Sequence, residues 1–279
     1  MNNDTQVTKA KTFRRLHEGP GILILPNAWD AASARIFEMA GFSAIGTTSA
    51  GVAYSLGYAD GEHVPVDEMI AAIFRIVRSV SLPVTADIEA GYSETTDGVV
   101  ETVKKVIEAG AVGVNLEDSR GEERTALFSR SAQSEKIRAI RAASEAAGVP
   151  LVINARTDVY LAGIGELSTR FQEAVERANA YGEAGADCLF IPGVRHTELI
   201  SALVRAVHGP INILATQGTP RVQQLEKAGV RRVSVGSGPA RAAMTLVRRL
   251  AMDLKTTGDY SKFTEATITH SEANELFKK

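Results

Sequence analysis

The 279-residue chain has one cysteine, Cys188, and one tryptophan, Trp29. A single cysteine excludes an intrachain disulfide framework and fits a reducing compartment. An excess of either charge is also missing: Lys and Arg total 31 against 33 Asp and Glu, a formal net charge of −2. That balance gives no reason to expect nucleic acid or an anionic membrane as partner, and it leaves local charge to decide the binding of small anions. No apolar run approaches the length of a membrane span. The opening stretch, MNNDTQVTKAKTFRRLHEG, is polar and lacks the apolar core of a signal peptide. A cytoplasmic location is therefore the expectation.

What the chain does have is alternation. Short runs rich in branched apolar residues lie at 22–25, 44–47, 84–87, 112–117, 151–155, 188–191, 211–215 and 232–235. Between and after them, segments of helical period lie at 30–40, 66–80, 95–109, 134–147, 167–184, 198–207, 220–228 and 239–254. Gly41, Gly110, Gly148, Gly185 and Gly229 close helical segments as left-handed residues after the C-cap. Eight strands alternating with eight helices predict a (β/α)8 TIM barrel, read as one domain over 1–279. A C-terminal extension, 256–279, adds a helical stretch at 271–278 that could pack on its own barrel or on a neighbouring subunit. A doubly wound open sheet is the competing architecture. No G-x-G-x-x-G follows the first strand, which argues against a dinucleotide-binding form of it.

Acidic residues stand just past several of these apolar runs. Asp87 and Glu89 follow strand three, Glu117 and Asp118 end strand four, and Asp60 follows the glycine-containing stretch after strand two. Carboxylates at the ends of buried strands are costly to desolvate unless a positive group meets them. A divalent cation is the obvious candidate, because Mg²⁺ takes oxygen ligands and binds through one or two carboxylates plus water and substrate. Asp87 and Glu89, two apart, would face one side of an extended strand; Glu117 could supply a third ligand, and Asp118 could cap or orient a loop. Arg156, ending strand five, has a planar fork suited to a substrate carboxylate, with a structural ion pair as the alternative. Thr48, Ser49 and Gly51 offer hydroxyls and backbone N–H groups to an anion, or serve as ordinary turn residues. Trp29 could wall a pocket or sit in the core. Cys188 reads as an inert core thiol, His196 and His208 as surface histidines, and Arg231, Arg232, Arg248 and Arg249 as solvated pairs or oligomer contacts.

Taken in order, LPNAWDAASARIFEMAGFSAIGTTSAGVAYSLGYADGE, TADIEAGY, GVNLEDS, INARTDVYLAG, AGADCLFIPG and VSVGSGPARAAM carry a likeness over roughly 26–243. On these segments the chain resembles the isocitrate lyase and phosphoenolpyruvate mutase superfamily. The resemblance implies a (β/α)8 barrel and a homo-oligomer, dimer or tetramer, whose paired subunits exchange the eighth helix. It implies Mg²⁺, or alternatively Mn²⁺, near Asp87, with Glu89 and Glu117 holding it directly or through water. Asp60 matches the acid near metal and substrate. Thr48, Ser49 and Ala50 match the segment that grips the substrate carboxylate or phosphonate, and Arg156 matches the substrate-contacting arginine. The implied chemistry makes or breaks C–C or P–C bonds beside a 2-oxo carboxylate through a metal-held enolate.

The departures narrow this. Isocitrate and methylisocitrate lyases carry K-(K/R)-C-G-H after the strand-four acid; here Glu117-Asp118-Ser119-Arg120-Gly121-Glu122-Glu123-Arg124-Thr125 has neither cysteine nor histidine. That loop also lacks the lysine and asparagine of the phosphonate-processing enzymes, Pro192 stands where a histidine is expected near the end of strand six, and Glu89 replaces the usual Asp. The expectation is a Mg²⁺-dependent enzyme that cleaves, hydrolyses or decarboxylates a small 2-oxo or 2-hydroxy dicarboxylate. Asp87, Glu89 and Glu117 would serve as metal residues, Asp60, Arg156 and Glu117 as catalytic residues, and Trp29, Thr48, Ser49, Ala50, Gly51 and Arg156 as the substrate cradle. The 118–130 loop would act as a lid. Phosphonate chemistry and a non-catalytic 2-oxo acid binder are the alternatives.

Overall fold

The computed structural model describes residues 3–120, 125–265 and 267–278. Eight parallel strands form the barrel: β1 (Leu23–Leu25, continued past Pro26 by Asn27–Ala28), β2 (Ile45–Thr47), β3 (Val84–Asp87), β4 (Gly113–Glu117), β5 (Val152–Arg156), β6 (Cys188–Phe190), β7 (Ile211–Leu214) and β8 (Arg232–Ser234). Each pairs in parallel with its sequence neighbour. Pro26 has no N–H to give the ladder and splits the first strand. Its first piece pairs with β8 and its second with β2, so the sheet closes through the split strand. Asn27 ties the join: its Nδ2 donates to Thr47 O at 2.8 Å, and its Oδ1 accepts from Val235 N and Gly236 N at 2.9 Å each. A Cβ on Gly46 would lie 2.7 Å from that Nδ2, so the approach requires glycine.

The helices are α1 (Asn3–Glu18), α2 (Ala31–Met39), α3 (Ser49–Leu56), α4 (Val66–Ser79), α5 (Thr96–Glu108), α6 (Arg130–Ala146), α7 (Arg170–Glu183), α8 (Thr197–Ala206), α9 (Val222–Lys227), α10 (Gly238–Thr257) and α11 (His270–Glu275). The predicted strands and barrel helices are present, with α6 starting four residues early and α7 three late against the reading of 134–147 and 167–184. The core lies between the outward faces of the strands and the helix ring. Val114, Leu116, Ile153 and Ala155 meet it from the sheet; Met69, Ile73 and Ile76 of α4 and Val99, Val103 and Val106 of α5 meet it from outside. Among the described residues no helix is long and apolar enough to cross a membrane.

Two helices were not read from the sequence. α3 starts directly at the end of β2, with Thr48 as N-cap and Gly57 as left-handed C-cap. α1 lies across the N-terminal ends of the strands. Its buried residues Gln6, Ala10, Phe13 and His17 recur every three or four positions, a helical face set within polar sequence. Gln6 Nε2 donates to Ile107 O at 2.8 Å and Ala111 O at 2.9 Å, while Arg14 pairs with Asp187 just ahead of β6. The C-terminal extension returns to its own barrel here: Arg35 Nε of α2 donates to Leu276 O, and Leu276 is buried.

His17 sits against the Phe13 ring, and burial, with Arg232 nearby, lowers its pKa from 6.5 to about 3. The unfolded chain therefore binds a proton that the folded chain refuses between those values, and stability falls as pH drops from 6.5 toward 3. We expect His17→Gln to flatten that limb of the stability–pH curve by a few kcal/mol, measured by urea unfolding at stepped pH. An unchanged slope would show that His17 titrates normally.

Candidate active site

The inward face of the barrel carries polar residues at alternate strand positions. Thr85 and Asp87, Asn115, Arg156, and Arg232 and Ser234 all line one cavity of about 170 Å³ at the carboxyl ends of the strands. Asn27, Thr47, Thr48, Ser49, Ala50 and Asp60 complete its polar side, with Leu161, Phe190 and Leu214 as apolar wall. This size lies below the roughly 300–1,000 Å³ of pockets for drug-sized ligands, so it suits a small molecule.

Asp87 is held by side chains from several elements. Its Oδ2 accepts from Ser49 N at 3.0 Å and Ser49 Oγ at 2.8 Å, and its Oδ1 accepts from Asn115 Nδ2 at 2.8 Å. Asn154 Nδ2 in turn donates to Asn115 Oδ1 at 2.7 Å. The carboxylate is thus fixed by α3 and β4, with β5 holding the β4 asparagine in turn. Asp60, on the loop after α3, faces the same cavity.

Glu89 does not share that face. β3 ends at Asp87, and Glu89 has φ 53°, so the alternation of an extended strand stops before it. Glu89 and Glu117 open instead onto an adjoining cavity with Glu62, His63, Tyr92, Glu94, Ser119 and Arg120. Glu62 (φ 61°) and Tyr92 (φ 58°) are also left-handed. Three strained non-glycine residues in one place mark a backbone that its surroundings hold in position. Glu62 N donates to Glu89 Oε2 at 2.9 Å, and Tyr92 N donates to Glu62 Oε1 at 2.6 Å, locking the two loops together. Burial, with Glu89 and Asp87 close by, pushes the Tyr92 hydroxyl well above the usual phenol range. Among the described residues no three His, Cys, Asp or Glu side chains converge as a direct donor set. The oxygen donors still fit a hard cation of the Mg²⁺ kind, which uses one or two carboxylates and keeps several waters.

Arg156 lies between two acids. Its Nη1 pairs with Glu117 Oε2 at 2.7 Å, while Nε and Nη2 meet Asp158 at 2.6 and 2.8 Å. Burial alone would depress its pKa; Glu117 and Asp158 outweigh that and raise it. Two of its five N–H donors bond to Asp158, and Nη1 meets Glu117 as an ion pair. Asp118 orients the neighbouring loop: its Oδ1 accepts from Asp158 N at 2.9 Å, and its Oδ2 from Tyr181 Oη at 2.7 Å and Arg177 Nη1 at 3.2 Å. Burial raises its pKa, partly offset by those donors.

Gly51 and Trp29 stand behind the cavity wall. A Cβ on Gly51 would lie 2.6 Å from Thr48 Cγ2 and 2.9 Å from Trp29 Cβ, so this glycine serves close packing of α3. Cys188 is fully buried, with burial pushing its thiol up to about 12, in keeping with an inert core group. His196 and His208 are exposed, as expected. Beyond Glu117, Ser119–Arg120 pairs antiparallel with Ala126–Leu127. Of the 118–130 loop read as a lid, residues 121–124 lie outside the described residues.

Arg232, expected as a solvated pair or oligomer contact, is instead buried on the inner face of β8. Thr85, Asn115 and Ser234 were also passed over. Their signal is a polar residue at every second position of an otherwise apolar strand, which marks an inner face.

The family model described as phosphoenolpyruvate phosphomutase matches residues 13–255. The chain belongs to the isocitrate lyase/phosphoenolpyruvate mutase superfamily. Among superfamily proteins, 2-methylisocitrate lyase of Escherichia coli K12 is 35% identical over 217 residues, covering 75% of this chain and 71% of that protein. A Burkholderia cenocepacia J2315 structure described as a lyase/mutase has TM-score 0.91 and 38% identity, covering 99% of this chain and 98% of that one. Oxaloacetate acetylhydrolase, solved with its product oxalate, has TM-score 0.85 and 26% identity, covering 97% of this chain and 94% of that one. Superfamily members are enzymes, lyases and mutases among them. Their barrels share the fold described above.

Proposed function

We propose that this superfamily member is a Mg²⁺-dependent lyase-type enzyme that cleaves, hydrolyses or decarboxylates a small 2-oxo or 2-hydroxy dicarboxylate. The observation that carries this reading is the pairing of Asp60 and Asp87 in one small cavity beside the first turn of α3. Acids there can hold a cation, and helix N–H groups there can hold an anion.

Asp87 would hold the metal, with Glu89 and Glu117 reaching it through water. When bound, the metal neutralises oxyanion charge that develops on an enolate. Ser49 and Asn115 keep the Asp87 carboxylate in one orientation. With Ser49 serving Asp87 and the Thr48 N–H given to Ala28 O, the Ala50 N–H and the Thr48 hydroxyl would receive the substrate carboxylate at the start of α3, and Arg156 would contribute its uncommitted N–H donors. Asp60 orients a water or passes a proton. A lid over this site would hinge at the antiparallel pair of Ser119–Arg120 with Ala126–Leu127.

A screen of oxaloacetate, alkylmalates and phosphonopyruvate with Mg²⁺, products identified by mass, tests the reading. Release of a 2-oxo acid or oxalate from a C4–C6 acid supports it. Turnover of phosphonopyruvate alone would move the chain to P–C chemistry, and metal-dependent binding without turnover would make it a binder.

The same reading includes a homo-oligomer formed by exchange of α10. Met244, Leu246, Val247 and Met252 are more than half exposed on that 20-residue helix, an apolar surface that suits a second copy. Light scattering should give a dimer or tetramer, shifted toward monomer by Val247→Glu. A monomeric mass for the wild type would sink the exchange.

A further inference from the structure

We propose that Arg232 forms an anion-binding subsite on the floor of this cavity and selects substrates that carry a second carboxylate. The inference deepens the oxo-acid reading and rests on it. Arg232 opens β8 two positions before Ser234, so both side chains point into the barrel. It is 2% exposed, yet it lines the cavity that holds Asp60, Asp87 and Ala50. Its Nε donates to Ser234 Oγ at 3.3 Å, and its guanidinium carbon lies 5.9 Å from the centroid of the Phe13 ring of α1. Among the described residues its Nη1 makes no hydrogen bond.

A buried cation is costly unless a negative group meets it. The interior of such a barrel is ordinarily filled by branched apolar residues, and an apolar side chain of similar volume would avoid that cost. Among the described residues no carboxylate bonds to Arg232, although Asp87 acts on it through space. Asp87 gives its oxygens to Ser49 and Asn115. Arg156, the other cation lining the cavity, lies between Glu117 and Asp158, two acids against one base. Arg156 thus spends part of its charge on those acids, whereas among the described residues Arg232 forms no ion pair with a carboxylate. With the first turn of α3 at the rim and Arg232 at the floor, the cavity has two anion-receiving ends. A substrate with one carboxylate would use only the first.

The test compares 2-oxobutyrate, which has one carboxylate, with 2-oxoglutarate, which has two, by calorimetry in Mg²⁺ buffer. Wild type, Arg232→Met and Arg232→Lys are used, each also melted without ligand. We expect Arg232→Met to bind 2-oxoglutarate about 10- to 100-fold more weakly, the range of a charged hydrogen bond. Binding of 2-oxobutyrate should be unchanged, the melting temperature should not fall, and Arg232→Lys should recover part of the loss. Equal 2-oxoglutarate affinity in wild type and Arg232→Met overturns the subsite and leaves the enzyme reading intact. So does a lower melting temperature with both affinities unchanged, which would make Arg232 a structural tie to α1. Wild type that binds neither acid overturns the subsite together with the substrate class. If the variants do not fold, a wild-type crystal structure with 2-oxoglutarate decides: a carboxylate oxygen within hydrogen-bond distance of Nη1 supports the subsite, and both carboxylates elsewhere overturn it.

Discussion

On the proposed function, Asp87→Ala should lower Mg²⁺-dependent turnover by about a thousandfold or more, the rate equivalent of the several kcal/mol a cation supplies to a developing oxyanion. The expectation rests on how completely Asp87 is held. Three donors from Ser49 and Asn115 fix both its oxygens, and its own N–H donates to Thr47 Oγ1 at 2.8 Å. A carboxylate held this way keeps one open lone-pair position, on Oδ1, in a fixed direction, which is the geometry a ligand needs. Asp87→Asn keeps most of that shape and lowers charge, so it should lose turnover with little loss of stability. Magnesium titration by calorimetry alongside product assay checks both variants. Metal affinity and turnover left intact in Asp87→Ala would show that the site has been placed on the wrong residue.

Arg156→Met should cost about 3–5 kcal/mol of stability, the usual penalty for leaving a buried partner charge unpaired. Arg156 is shared here by two acids, and the Glu117 and Asp158 side chains are each 2% exposed. A loss of that size lowers the melting temperature by roughly 10 °C in a chain of this length. Adding Asp158→Asn should restore part of the loss by removing one of the stranded charges, so the double variant melts above Arg156→Met alone. If Arg156→Met melts like wild type, the two acids find other partners and the ion cluster does not hold the ends of β4 and β5 together. Activity separates a second role: a rise in KM at unchanged kcat, seen in Arg156→Lys, would report contact with substrate beyond this structural one.

Much of the architecture was legible because it is written in consecutive residues. The eight apolar runs and the glycines after helices report local preferences that the folded chain keeps, and β3 spans 84–87 as read. α1 was legible in principle, since Ala10, Phe13 and His17 share a helical face, but its polar composition hid the pattern. α3 was passed over because Thr48-Ser49-Ala50-Gly51 reads as turn chemistry, and the N-cap role of Thr48 shows only when the next turn forms. The acids themselves were found, but their grouping was not. The two-residue spacing of Asp87 and Glu89 holds them on one side only while the chain stays extended, and the left-handed backbone at Glu89 breaks that rule.

By itself, then, the sequence determined the barrel, the rim that carries the acids, and membership of the superfamily, because period, strand ends and motif order are properties of neighbouring residues. Only the tertiary structure decided which charges meet. It set Asp60 with Asp87, separated Glu89 and Glu117 into the next cavity, enclosed Arg156 between Glu117 and Asp158, and turned Arg232 inward. The physical reason is that the worth of a charge depends on its distance to other charges and to water, and those distances arise between strands far apart in the chain.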